Sequence, residues 1–307
     1  MIVSLLLNKI ISLFLIMLSG FVLVRCRVLK AEQSRTFTTL SVNILIPCAI
    51  LSAFQVEWTP DVQQGLLLSL VVSVIINLAL ILLTLPLKKP LHLDRVEEAS
   101  IIYSNAGNLI IPLIISILGE DMLIYTSPFM SFQMFLLWSH GRSMLCGEKT
   151  ISLKKILLNH NMIAIYIGIL LLITGLHLPA PVEDAISSLS ATVGPMAMLI
   201  TGMLIGGMDL KAMFLRKRVY LVAVLRLIIL PAVILILLRI TDVASLVPHG
   251  KEILLVPFLS TITPTASTIT QMAQLFGHDA DYASAINMVT TILCIITMPI
   301  MVALYMM

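Results

Sequence analysis

Charge is what this chain has least of. Only 11% of its 307 residues are Asp, Glu, Lys or Arg, against about 25% in an ordinary soluble protein. Apolar residues make up 59%, and the mean hydropathy is +1.07. A fold in water needs polar residues to cover its surface. The composition therefore excludes a water-soluble domain, a disordered chain and a nucleic-acid binder. Cysteine is sparse as well. Cys26, Cys48, Cys146 and Cys294 are scattered, with no C-x-x-C and no His at ligand spacing, which excludes a disulfide framework and a zinc site. No cofactor is expected. The sequence also lacks the alternating apolar pattern of a membrane barrel. It has no H-E-x-x-H, and the lone Gly-Arg-Ser at 141–143 has no partner base, so an enzyme is not expected.

What the chain does have is long apolar runs. They cover residues 3–24, 36–55, 65–86, 97–118, 122–145, 160–176, 184–208, 219–238, 252–275 and 281–305. A membrane helix takes about 20 residues, so these ten runs predict ten transmembrane helices in a single membrane domain, 1–307. The first run has Lys9 embedded in it and no A-x-A site before Arg25; it reads as a membrane helix and not as a signal peptide.

The basic residues sit in alternate connectors. Arg25, Arg27, Lys30 and Arg35 follow the first run; Lys88, Lys89 and Arg95 follow the third. Arg142, Lys149, Lys154 and Lys155 follow the fifth, and Lys211, Arg216, Lys217 and Arg218 the seventh. The even connectors hold only Arg239 and Lys251. By the positive-inside rule the basic connectors are cytoplasmic and both termini lie outside. Lys9 is expected to snorkel to the outer surface.

The two halves resemble each other. Leu-Leu-Asn at 6–8 returns at 157–159. Pro47 matches Pro195, and Pro112 matches Pro264. Leu-Gly-Glu-Asp at 118–121 is similar to Phe-Gly-His-Asp at 276–279. Five helices per half is an odd number, so the second half enters the membrane inverted, at about 1–150 and 151–307. Inverted repeats build many secondary transporters, with the substrate near the midplane.

The fourth and ninth runs are interrupted. Ser104-Asn105-Ala106-Gly107-Asn108 leads to Pro112, and Ser260-Thr261-Ile262-Thr263-Pro264-Thr265 repeats the theme. Proline removes a helix donor, and freed backbone groups in lipid need partners. Matched interruptions point to a transport site. Each helix that restarts there offers N–H groups and a positive dipole end, which suits an anion. Arg226, inside the eighth run, is expected either to pair with a substrate carboxylate or to snorkel to the cytoplasmic side. It aligns with Asn77 in the third. No acidic residue lies mid-span: Glu97 and Glu98 open the fourth run, and Asp279 and Asp281 flank the tenth. Cation-coupled carriers usually bury a carboxylate, so this absence weighs against them. The six histidines are placed at span ends or in connectors.

On these motifs the whole chain resembles the auxin efflux carrier family in its short bacterial form. The residues that carry the resemblance are Asn43-Ile44-Leu45-Ile46-Pro47, Asn-x-Gly-Asn-x-x-x-Pro at 105–112, Thr-Pro-Thr-Ala-Ser at 263–267 and Gln274-Leu275-Phe276-Gly277. The resemblance implies a fold similar to sodium/proton antiporters. In it spans 1, 2, 6 and 7 form a scaffold, and spans 3–5 and 8–10 a bundle in which spans four and nine cross at their breaks. It implies organic-anion substrates such as indole acetate, malate or malonate, and a homodimer through spans 1, 2 and 7. The expected substrate residues are Asn43, Asn105, Asn108, Pro112, Thr263, Pro264, Thr265 and Arg226. The function expected is alternating-access transport of small organic carboxylates, by efflux or exchange, across the cytoplasmic membrane. A cation/proton antiporter and a non-transporting sensor or channel subunit are the competing readings.

Overall fold

Apolar runs fold as helices in lipid because a helix satisfies its own backbone, and every run found above is helical. The computed structural model describes residues 2–57, 59–147, 158, 160–176, 178–208 and 215–307. Lys149, Lys154, Lys155 and Lys211, and Leu157 and Asn159 of the repeated Leu-Leu-Asn, lie outside the described residues. So do the side chains of Lys9, Asn108 and Pro112.

In chain order the helices are α1 (Ile2–Arg25), α2 (Ser34–Leu40), α3 (Ile46–Ala53), α4 (Pro60–Lys88), α5 (Arg95–Ile102), α6 (Ala106–Ile117), α7 (Ser127–Leu136) and α8 (Arg142–Cys146). There follow α9 (His160–Thr174), α10 (Ala180–Ala191), α11 (Val193–Gly206), α12 (Lys217–Val224), α13 (Leu230–Thr241), α14 (Gly250–Thr261), α15 (Ser267–Leu275) and α16 (Ala280–Met306). Three pairs are continuous through a wide π turn: Ser41–Leu45 joins α2 to α3, Leu137–Gly141 joins α7 to α8, and Leu225–Ile229 joins α12 to α13. The chain is thus all-helical among the described residues, apart from one isolated antiparallel bridge. Among the described residues, five helical stretches are long and apolar enough to cross a membrane: Ala31–Ala53, Pro60–Lys88, Ala180–Gly206, Lys217–Thr241 and Ala280–Met306.

The chain divides into two compact units. The first takes in 1–63, 107–127 and 157–210; the second takes in 64–106, 128–156 and 211–307. The first unit therefore contains helices of spans 1, 2, 6 and 7, together with the second half of span four.

In the first unit α1 and α11 touch backbone to backbone. A Cβ on Gly20 would strike the Leu199 carbonyl, and one on Gly202 would strike that of Met17. Gly206 faces Phe21 O and Val24 Cβ, where a Cβ would sit 2.9 Å from each. Without a hydrophobic drive between helices in lipid, small residues of this kind permit the close approach that dispersion needs.

In the second unit α4 turns its polar stripe inward. Ser69, Ser73, Asn77 and Thr84 are all buried, and Asn77 Nδ2 donates to Ser73 O at 2.9 Å. The start of α5 is fixed by a capping box. Asp94 Oδ1 accepts from Glu97 N at 2.8 Å, and Glu97 Oε2 accepts from Asp94 N at 3.0 Å. The buried faces of α5, α14 and α16 mix apolar residues, with Ile101, Phe258 and Val289 fully enclosed, and polar ones such as Ser100, Ser260 and Thr290.

Candidate functional site

Both interrupted runs belong to the second unit up to Ala106, and there they meet. α5 stops at Ile102 and α14 at Thr261, and α6 and α15 restart at Ala106 and Ser267. Between them Ser104 and Thr265 form the antiparallel bridge. Asn105 N donates to Pro264 O at 2.8 Å, and Ala266 N donates to Tyr103 O at 3.0 Å. The backbone groups released by one break thus satisfy those released by the other, as a low-dielectric interior demands. Pro264 suits its place, since its missing donor is not called on while its carbonyl is.

Two side-chain amides hold the bridge from either side. Gln133, from α7, donates through Nε2 to Ser104 O at 2.7 Å. Its Oε1 also accepts from the Ser104 hydroxyl. Asn287, from α16, donates through Nδ2 to Thr265 O at 2.7 Å. Each bridging residue therefore has its own amide, from the fifth run on one side and the tenth on the other. Nothing in the sequence reading singled these two out. The available signal was the one amide in each of these two runs.

Arg226 is the unusual charge here. It is fully buried, at 0% exposure. The π turn Leu225–Ile229 carries it, a local widening that recurs at functional sites. Its Nε donates to Thr263 O at 3.2 Å, and its Nη1 donates to Ile101 O at 3.0 Å and Ile102 O at 3.4 Å. The guanidinium thus bridges the ends of both broken helices. Its Nη2 has no partner, and among the described residues no carboxylate forms an ion pair with it. Of the two expectations for Arg226, snorkelling to the cytoplasmic side does not fit its complete burial.

Of the residues expected at the site, the structure brings Asn105, Thr263, Pro264, Thr265 and Arg226 together. The threonines build the backbone there. Thr263 Oγ1 donates to Ser260 O at 2.8 Å and Thr265 Oγ1 to Ser100 O at 3.0 Å, and both residues are fully buried. Pro112 requires a correction. It lies inside α6, not in the break, which falls at residues 103–105. A proline is not what opens this helix: the break is held by pairing with 264–266, which no local pattern encodes. Asn108 lies on α6 too. Asn43 belongs to the first unit, on the π turn Ser41–Leu45, with its Nδ2 donating to Thr39 O at 2.8 Å.

His140 lies near the end of the fifth run, on the π turn Leu137–Gly141 within the continuous helix from Ser127 to Cys146. Its Nδ1 lies 2.8 Å from the Tyr103 hydroxyl.

An ionic cluster closes one end of the second unit. Arg218 embraces Glu97, with Nε to Oε1 at 2.5 Å and Nη2 to Oε2 at 2.6 Å. Tyr282 donates its hydroxyl to Glu97 Oε1 at 2.6 Å. Lys88 pairs with Glu98 at 2.6 Å, and Arg216 with Asp279 at 3.1 Å. Both glutamates are buried. Asp279 caps α16, its Oδ1 accepting from Tyr282 N at 2.8 Å. That hydrogen bond, with Arg216 beside it, holds the Asp279 carboxyl below its ordinary range.

A profile of the family described as membrane transport protein matches residues 5–150 and 142–302. Among curated proteins none matches the chain.

Proposed function

The chain belongs to the membrane transport protein family of the auxin efflux carriers, and we propose that it is a secondary transporter of small organic carboxylates that works by alternating access. It is an integral membrane transport protein and not an enzyme. The observation that carries the substrate class is Arg226. Burying a lone guanidinium is costly unless something neutralises it. Three backbone carbonyls solvate this one, yet one nitrogen remains without a partner. A carboxylate on that nitrogen supplies the missing charge through a charge-assisted hydrogen bond. The restarting ends of α6 and α15 add N–H groups of the same polarity. Asn105, Thr263, Pro264 and Thr265 shape the surroundings.

The wider arrangement is proposed with it. Ten helices cross the cytoplasmic membrane as two inverted five-helix repeats, with the basic connectors inside and both termini outside. A homodimer forms through spans 1, 2 and 7. The parallel element order supports the repeat, since each half holds a run with a break or wide turn, a long helix, a broken helix and a closing helix.

Uptake of labelled malate, malonate and indole acetate into proteoliposomes tests this. At least one should be transported, and should raise the melting temperature by several degrees at saturating concentration. Arg226→Gln should remove both effects. Sodium/proton exchange with no transport of any anion would overturn the proposal in favour of the antiporter reading.

A further inference from the structure

Tyr103 belongs to the bridge through its backbone and to span five through its side chain. Its carbonyl accepts from Ala266 N at 3.0 Å. Its hydroxyl lies 2.8 Å from His140 Nδ1 and 3.1 Å from Leu136 O. The space for this is provided by Gly141, where a Cβ would come within 2.8 Å of the Tyr103 ring. The tyrosine is buried, and its hydroxyl has one proton for two acceptors. When His140 is neutral, Nδ1 can take that proton as acceptor, with the ring N–H on Nε2. When His140 gains a proton from water, Nδ1 becomes a donor. Tyr103 must then accept from it and turn its own proton to Leu136 O. Both partners already stand at hydrogen-bond distance, so the two states need only a hydroxyl rotation.

We propose that His140 is the proton-binding group of the transport cycle, and that the crossover senses its charge through Tyr103. This rests on the anion-transport reading above. The sign follows from linkage. An imidazolium and a substrate anion bound in one low-dielectric unit attract each other, so each raises the other's affinity by the same factor. The proton therefore travels with the anion. It is taken from water on the loading side and returned to water on the other.

The charges that act on His140 are the buried Glu98 carboxylate, from α5, and Lys88, from α4. They pair with each other at 2.6 Å, so neither dominates as a free charge. α15 presents no titratable residue. His278 reaches Leu145 O, one turn further along α8, at 2.7 Å.

Two measurements test this on the full-length protein. The first is direct titration of the imidazoles by nitrogen-15 NMR, with His140→Gln identifying the His140 signal. That signal should move between pH 5 and 8, and Tyr103→Phe should displace it. A His140 signal unchanged across that range overturns the proposal, whatever the transport assay gives. The second is the pH profile of uptake, using whichever of malate, malonate or indole acetate is transported. The wild-type KM should change by up to about tenfold per pH unit on one limb, and His140→Gln should flatten it. Equal profiles in the two proteins overturn the proposal while leaving the anion-transport reading intact. If His140→Gln does not fold, Tyr103→Phe takes its place, with a shifted profile expected and an unshifted one counting against. Absence of any anion transport overturns the earlier reading and this proposal with it, whereas equal pH profiles or a His140 signal that does not titrate overturn this proposal alone.

Discussion

Ser104 and Thr265 stand opposite each other in the one antiparallel bridge among the described residues, and each has its carbonyl held by a different amide, Gln133 or Asn287. The bridge is the joint on which two broken helices rest, and its strength depends on those amides.

Gln133→Leu leaves the Ser104 carbonyl and hydroxyl buried without that partner. A buried polar group left unpaired costs about 1–3 kcal/mol, so the variant should melt several degrees lower. Asn287→Leu should do the same through Thr265 O. Because both act on one bridge, the double variant should lose less than the sum. Thermal melts of the three proteins check this; strict additivity would show the amides to be independent.

The α1–α11 contact makes a ranking. Gly202→Ala drives a methyl into the Met17 carbonyl, a backbone atom that cannot move alone. Gly206→Ala meets Phe21 O and Val24 Cβ at 2.9 Å, a smaller intrusion. Overpacking costs about 1–3 kcal/mol, so Gly202→Ala should sit at or above the top of that range and Gly206→Ala near its foot. Size-exclusion yield and melting temperature in detergent should follow this order. The reverse order would mean that the helices are not in backbone contact at Gly202.

Arg218 grips both oxygens of a buried carboxylate. Removing it by Arg218→Ala strands the Glu97 charge, at a cost of about 3 kcal/mol, the low end for a broken buried pair because Arg218 itself is half exposed. Arg218→Lys should recover only part of the loss, since an ammonium cannot span the fork. Glu97→Gln in the Arg218→Ala background should restore stability, which comparative melting can establish.

Stability should also fall in acid through Asp279. Its carboxyl is held below the ordinary range by the Tyr282 N–H and by Arg216. The folded state therefore binds the proton less well than the unfolded state does. This stabilisation is complete above about pH 4 and is lost as pH falls through the depressed value. The Asp279→Asn variant should show a melting temperature less dependent on pH below about 4, with a small loss at neutrality because asparagine still caps a helix. An identical acid profile in the two proteins would remove Asp279 from the account.

The sequence made some of this legible, for physical reasons. Apolar runs bounded by charge must become helices in lipid, so the positions of the helices followed from composition. The ninth-run break was visible because Pro264 sits in it, flanked by Thr263 and Thr265. The fourth-run break was drawn toward Pro112 because proline is the local marker of a broken helix. It lies instead at 103–105, where what opens the chain is a partner about 160 residues away. Arg226 stood out as a charge in an apolar run, but its three carbonyl partners come from the distant fourth and ninth runs. Gln133, Asn287 and His140 are single polar residues whose meaning appears only when their neighbours are known.

The long-range bridge also orders the biosynthesis of the molecule. Residues 103–105 enter the membrane early, with backbone groups that no local helix can satisfy. Their partners at 264–266 are made only after about 160 further residues, more than half of the chain. Until the ninth run is made, Asn105 N and Tyr103 O lack the backbone partners that the finished fold gives them.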